Sequence, residues 1–237
     1  MNAVEKLIAY WGELDLGAPS RVHPADLTLM DPTERFDTAF VPYPYIGDIR
    51  GADVWVLMLN SNIGPEDAKQ EAEPYFADRL RSNLTQDFDA YQHPLLSLDP
   101  KLRHTGTYEY YNKRNGIAKL IAELARRSGV TERAARCDLA RRLAIVQLFP
   151  YRSTSGVPRA LRGGALASVR FAKAAVAEAL ESKLVVVPRS ARDWGFEYGV
   201  RGERLITFAA NQARSASLKP DGACGGGDAI LHRLMRT

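Results

Sequence analysis

The sequence is poor in the residues that build disulfides, clusters and metal sites. Only two cysteines, Cys137 and Cys224, stand among its 237 residues. Neither belongs to a CxxC pair, so a disulfide framework or a cysteine-bound cluster is not expected. The four histidines, His23, His93, His104 and His232, show no HExxH or other paired ligand spacing, which argues against a metal site. A Walker loop, a GxSxG elbow and a dinucleotide GxGxxG are all missing, and no cofactor is expected. No apolar stretch approaches the roughly 18 residues of a membrane span. The opening "MNAVEKLIAYWGELDL" lacks the basic start and apolar core of a signal peptide. A cytoplasmic location is therefore the expectation. Internal repeats and low-complexity tracts are also absent.

What is present is enough apolar material for a sizeable core. With 46% hydrophobic residues, the chain reads as one α/β domain over 1–237, with an N-terminal helix and ordered loop in 1–50 and a sheet core in 51–237. The net charge of +4 hides an asymmetry: residues 1–125 hold 12 Lys and Arg against 19 Asp and Glu, and residues 126–237 hold 20 against 9. The halves carry −7 and +11, and arginine supplies 17 of the 20 later cations. Guanidinium binds phosphate in a fork and keeps its charge, so an arginine-rich half points to a polyanion. Solvated helix faces such as "ARRSGVTERAARCDLARR" at 125–142 are the alternative.

Along the chain, residues 3–16 have helical spacing of Val4, Leu7, Ile8, Trp11 and Leu14. "FVPYPYIGDIRGAD" reads as an ordered loop. "VWVLMLN" at 54–60 is apolar throughout, as a parallel strand covered on both faces should be. The 64–84 segment reads as helix, broken or kinked at Pro74. Residues 86–107 form a long irregular stretch, which in compact proteins is usually functional or disordered. Helices are expected from 108 to Gly129 and again after Thr131, as C-terminal glycine and N-cap threonine indicate. Further strands are expected at 143–149, 182–188 and 203–208, with helices at 164–182, after 189 and at the end. Strands alternating with helices imply a three-layer α/β/α arrangement around a mainly parallel four-stranded sheet. In such sheets the ligand crevice lies beyond the C-terminal strand ends. "NSNIGP", "PYRSTSG", "PRSARDWG" and "AANQARSAS" would then share one rim.

On these elements the chain resembles the uracil-DNA glycosylase superfamily. "MLNSNIGP" at 58–65 is similar to the strand and turn that carry the family's water-orienting Asp or Asn, and puts Asn60 at the Asn position of the mismatch-specific branch. Ser61 and Asn62 stand where that branch has Pro and Gly. "LAIVQLFPYRSTSG" places Gln147 near the family's base-reading position. "NQARSASLKPDGACGGGDAILHRL" at 211–234 matches the last family element in length and shape, without its His-Pro-Ser. The resemblance spans roughly residues 40–236 in the order of its elements. It implies a four-stranded parallel sheet and hydrolysis of an N-glycosidic bond in DNA.

That chemistry needs an extruded base, a group on its edge and an oriented water. Asn60 can orient water through its carbonyl, and Asn62 could aim an amide at the same space; both could instead satisfy turn backbone groups. Gln147 offers donor and acceptor to a base edge, or bonds a neighbouring loop. Tyr75 and Phe76 could stack on a flipped base, or belong to the core. Arg152, Arg189, Arg192 and Arg214, with Ser215, could contact phosphates. "CGGGDA" at 224–229 could present helix N-terminal amides to a phosphate. Asp87, Asp89, His93, Asp99 and His104 in the long loop match no template. The partner is then DNA, with RNA or a free nucleotide as alternatives, and the oligomeric state stays open. Two rival readings are a non-catalytic nucleic-acid-binding protein of the same fold and a hydrolase of small nucleotides or nucleosides.

Overall fold

A computed structural model of the protein describes residues 1–30, 36–222 and 224–236. Its centre is a mixed five-stranded sheet in the order β1-β3-β2-β4-β5. The strands are β1 (Tyr45–Ile46), β2 (Val54–Met58), β3 (Leu143–Gln147), β4 (Leu184–Val187) and β5 (Leu205–Thr207). β2 pairs in parallel with β3 and with β4, β4 pairs in parallel with β5, and β1 runs antiparallel to β3. The expected four strands are all present, each shorter than its apolar run. β1 was not expected. It falls in "FVPYPYIGDIRGAD" and is held by side chains as well as by β3. Asn83 donates from Nδ2 to Tyr45 O at 2.7 Å and accepts from Gly47 N at 2.9 Å. Two amide bonds from a helix thus complete an edge too short to stand by itself.

The helices are α1 (Ala3–Gly12), α2 (Asp67–Glu71), α3 (Pro74–Thr85), α4 (Gly106–Glu109), α5 (Ile117–Ser128), α6 (Glu132–Arg142), α7 (Arg159–Arg162), α8 (Ala167–Ala179), α9 (Ala191–Trp194) and α10 (Gly226–Met235). Pro74 separates α2 from α3 by occupying the first turn of the latter, where its missing N–H costs nothing. The helix expected from 108 to 129 is divided. α4 runs into a π-helical turn at Tyr110–Arg114, and Gly116 then takes a φ of 84°. A Cβ there would lie 2.5 Å from Ser217 Oγ and 3.0 Å from Lys219 N, so glycine is required for the 217–219 segment to dock. Gly129 ends α5 in the left-handed region, and Thr131 caps α6 through Ala134 N.

Alternation along the buried strands explains why both sheet faces are covered. Trp55, Leu57, Ala144, Val146, Val185 and Val187 join one apolar cluster with residues of α1, α8 and α9. Val54, Val56, Leu143, Ile145, Leu184 and Val186 join a second with residues of α3, α5, α6 and α10. Each fully buried Val, Leu or Ile contributes about 1.5–3 kcal/mol relative to exposure, so the two clusters fix the strand ends that carry the rim. No helix among the described residues is long and apolar enough to cross a membrane.

Candidate active site

Beyond β2 and β3 the chain does not diverge into separate loops. Leu148 N and Phe149 N donate to Met58 O and Leu59 O at 3.0 and 2.8 Å. Ser153 N then donates to Ser61 O at 3.3 Å, Ile63 N donates to Ser153 O at 3.2 Å, and Asn62 bridges Ser153 in parallel. Two of the four rim loops are thereby zipped together past the sheet.

This pairing sets Asn60. Its Nδ2 donates to Ser61 O at 3.0 Å and to Ser153 Oγ at 2.7 Å, which consumes both amide protons and fixes the rotation of the group. No described residue donates to its carbonyl oxygen, Oδ1. Gln147, the last residue of β3, is 1% exposed and donates from Nε2 to Ser61 Oγ at 2.6 Å. Its Oε1 is buried with no hydrogen-bond partner among the described residues. A buried carbonyl oxygen without a donor costs about 1–3 kcal/mol and calls for an explanation. Ser61 therefore links Asn60, with both amide protons engaged, to Gln147, with one engaged, and neither carbonyl oxygen has a donor among the described residues. Asn62 is exposed and contributes its backbone carbonyl rather than its amide.

That carbonyl belongs to Arg152, which the structure places differently from the phosphate clamp expected of it. Arg152 is 5% exposed. It donates from Nη2 to Asn62 O at 3.0 Å, pairs with Asp67 and Glu71, and lies over the rings of Phe40 and Tyr43. Asp67 in turn accepts from Gly64 N at 2.6 Å, and Glu71 accepts from Tyr43 Oη at 3.1 Å and Val41 N at 3.3 Å. Burial pushes the Glu71 carboxyl up despite the attraction of Arg152. Burial works against the Arg152 charge, but Tyr43 and the two carboxylates outweigh it and raise the guanidinium above its ordinary value. With Nε, Nη1 and Nη2 all engaged inside the protein, Arg152 holds the "NSNIGP" turn against α2 and the 40–43 segment. A cavity of about 70 Å³ lies beside this cluster, lined by Leu16, Arg21, Val41, Glu71, Leu80 and Arg81 among others. Asn60 and Gln147 do not line it.

The remaining candidates lie further off. Phe76 is 3% exposed and sits in the second apolar cluster, so it cannot present a face to a base. Tyr75 donates to Asp99 at 2.5 Å and lies under Lys101 Nζ, joining the 86–107 stretch instead of Asn60. Arg189 and Arg192 are exposed beyond β4, with Arg192 over the Tyr198 ring at 5.5 Å. Ser215 is exposed in a 3₁₀ turn at Ala213–Ser215 beyond β5; the side chain of Arg214 lies outside the described residues. Strand order puts β4 between β2 and β5, so this turn is displaced from Asn60 by the width of a strand. Between β2 and β4, where the connections reverse and a crevice would open, Trp194 Nε1 donates to Met58 O at 3.2 Å. The Trp194 ring is buried there.

The glycine cluster at the start of α10 is not an open anion cradle. A Cβ on Gly227 would lie 2.3 Å from Lys219 O and 2.4 Å from Leu218 O, and one on Gly226 would lie 2.7 Å from the Phe208 ring. The 218–219 backbone and Phe208 pack directly on these glycines. Of the residues that shape the site, Ser61, Ser153, Asp67 and Glu71 carried no signal strong enough to single them out. Ser61 and Ser153 stood inside quoted rim segments but matched no motif. No protein-family model, curated protein or solved structure matches this chain.

Proposed function

We propose that the protein is a DNA glycosylase-like hydrolase that cleaves the N-glycosidic bond of a damaged or mismatched base. The finer fold reading, a three-layer α/β/α arrangement of uracil-DNA glycosylase type, is part of this proposal. Its support is the parallel order β3-β2-β4-β5 within the mixed sheet. The observation that carries the functional reading is the Asn60 carbonyl oxygen, on a part-exposed residue and without a donor among the described residues, next to the buried, unpaired Oε1 of Gln147 across Ser61.

Glycosidic cleavage proceeds through an oxocarbenium-like sugar and an anionic leaving base, so the attacking water needs orientation more than deprotonation. Asn60 supplies an acceptor for one water proton, and its fixed amide keeps that acceptor from rotating away. Gln147 has one amide proton committed to Ser61 Oγ and a buried Oε1 without a donor among the described residues, so a base edge reaches it only where the rim opens. Phosphate contact is assigned to Arg192 and Ser215, exposed on the rim, with Arg189 beside them. The partner is DNA; RNA or a free nucleotide would use the same base edge without a duplex.

The test incubates the purified protein with duplexes bearing uracil, hypoxanthine, xanthine or mismatched thymine, followed by alkali. Asn60→Ala should lose about 10²-fold of the strand scission, the scale on which a misplaced reactant slows a reaction. Asn60→Asp keeps an acceptor oxygen but loses both amide bonds that fix it, so its activity should fall between Asn60→Ala and wild type. No scission by the wild-type protein on any substrate refutes catalysis. Salt-dependent duplex binding would then identify a non-catalytic binder. Turnover of free nucleosides without duplex affinity would identify the small-molecule hydrolase.

A further inference from the structure

On the other side of the sheet, the long 86–107 stretch delivers a histidine to a cysteine 44 residues away. His93 Nε2 lies 3.3 Å from Cys137 Sγ. His93 is 9% exposed, and its backbone carbonyl accepts from Nη2 of Arg79, which is itself fully buried. Leu95 N donates to Ala140 O at 3.0 Å, fastening the loop to the end of α6 just before β3 begins. The pair therefore sits toward the N-terminal edge of the sheet, away from Asn60 and Gln147. Cys137 is partly exposed.

The surroundings are cationic. On α6, Arg133 and Arg141 lie one turn before and after Cys137, on the same helix face, and both are exposed. Arg136 is its neighbour and bonds Asn112 Oδ1 at 2.7 Å. The charged groups acting on His93 are Asp99, between the 3₁₀ turns at Leu96–Leu98 and Pro100–Leu102, Arg79 from α3, and Arg136 and Arg141 from α6. Burial and the three arginines keep the imidazole neutral near pH 7, with Asp99 opposing them. A neutral imidazole can accept the thiol proton, and nearby guanidinium groups draw in an anionic reagent.

We propose that Cys137 and His93 form a nucleophile–base pair, a thiol-modification site for small anionic electrophiles such as acidic disulfides. With a disulfide, the Cys137 proton passes to His93 Nε2 as the sulfur attacks one sulfur of the reagent. A mixed disulfide forms, the reagent's S–S bond breaks, and the departing thiolate takes the proton from His93. With iodoacetate, a C–S bond forms, iodide leaves with the bonding pair, and the proton passes to solvent.

The experiment measures alkylation rates of Cys137 and Cys224 by peptide mass mapping, with iodoacetate and iodoacetamide, in the folded protein and in the urea-unfolded chain. Cys224 is the internal reference, since burial raises its thiol above the ordinary value. Folded Cys137 should react faster than in the unfolded chain, and its preference for iodoacetate over iodoacetamide should exceed the unfolded ratio. His93→Gln should slow it by about tenfold or more, as loss of a positioned base does. Arg141→Gln, an exposed change, should lower the iodoacetate preference while leaving the iodoacetamide rate near wild type. A Cys137 no faster folded than unfolded overturns the proposal, whether or not His93→Gln folds. An unchanged rate in folded His93→Gln, or a charge preference indifferent to Arg141, also overturns it.

Discussion

Replacing Arg152 separates two roles that sequence alone leaves open, a phosphate clamp and an internal tie. The side chain is 5% exposed, pairs with two carboxylates and donates to Asn62 O. Arg152→Met keeps much of the aliphatic volume over Phe40 and Tyr43 but strands Glu71 and Asp67. Removing one partner of a buried ion pair costs about 3–5 kcal/mol because the other charge stays buried. Against a total stability of about 5–15 kcal/mol, that is a large fraction. For a chain of this length the melting temperature should fall by about 6–20 °C, at roughly 2–4 °C per kcal/mol. Equilibrium unfolding in urea would give the free energy directly. Arg152→Met with Glu71→Gln should cost less than the sum of the two single changes, since the second removes one of the two stranded charges. A loss below about 1 kcal/mol, the scale of an exposed pair, accompanied by lost duplex binding, would refute the internal role and restore the clamp.

Gly227→Ala should destabilise by at least the 1–3 kcal/mol of ordinary overpacking, because its methyl would meet two backbone oxygens inside 2.5 Å; thermal unfolding reads this, and a wild-type melting point would contradict the packing. His23 and His93 are both pushed down by burial, so each binds a proton less readily folded than unfolded. Their effect on stability is absent above about pH 6.5 and grows as pH falls from there toward their lower folded values. Urea midpoints at neutral and mildly acidic pH should fall more steeply for the wild type than for His93→Gln, and equal slopes would count against a buried neutral His93. Trp194→Phe should cost about 0.5–1.5 kcal/mol, the net worth of one hydrogen bond, because Met58 O keeps its bond from Leu148 N, read by urea unfolding.

The parts of this fold legible in the sequence are those where one short segment holds all the information. Continuous apolar runs located β2, β3, β4 and β5, and Gly129 and Thr131 marked the boundary between α5 and α6. β1 was hidden because Tyr45 and Ile46 lie among prolines and depend on Asn83, 38 residues away for the bond to Tyr45. Asn115-Gly116 is a turn dipeptide, yet the apolar periodicity on either side concealed the break. The site divides in the same way. The strand-to-turn pattern put Asn60 and Gln147 at adjoining strand ends, and the hydrogen bonds through Ser61 join them. Arg152 misled because an arginine in a polar rim loop looks alike whether its carboxylate partners are solvent-borne anions or residues 81 and 85 positions earlier. Phe76 and Tyr75 are neighbours in sequence but have different fates, one in the core and one on Asp99.

The central claim is that the open oxygens of Asn60 and Gln147 hold a nucleobase and its attacking water. A crystal structure with a duplex carrying a non-cleavable 2′-fluoro nucleotide of the best-cleaved base tests it most directly. The account predicts the extruded base with an N–H within hydrogen-bond distance of Gln147 Oε1, and a water on Asn60 Oδ1 facing the sugar carbon. A duplex bound elsewhere, with Gln147 Oε1 satisfied by an internal water and no base near Asn60, would contradict it.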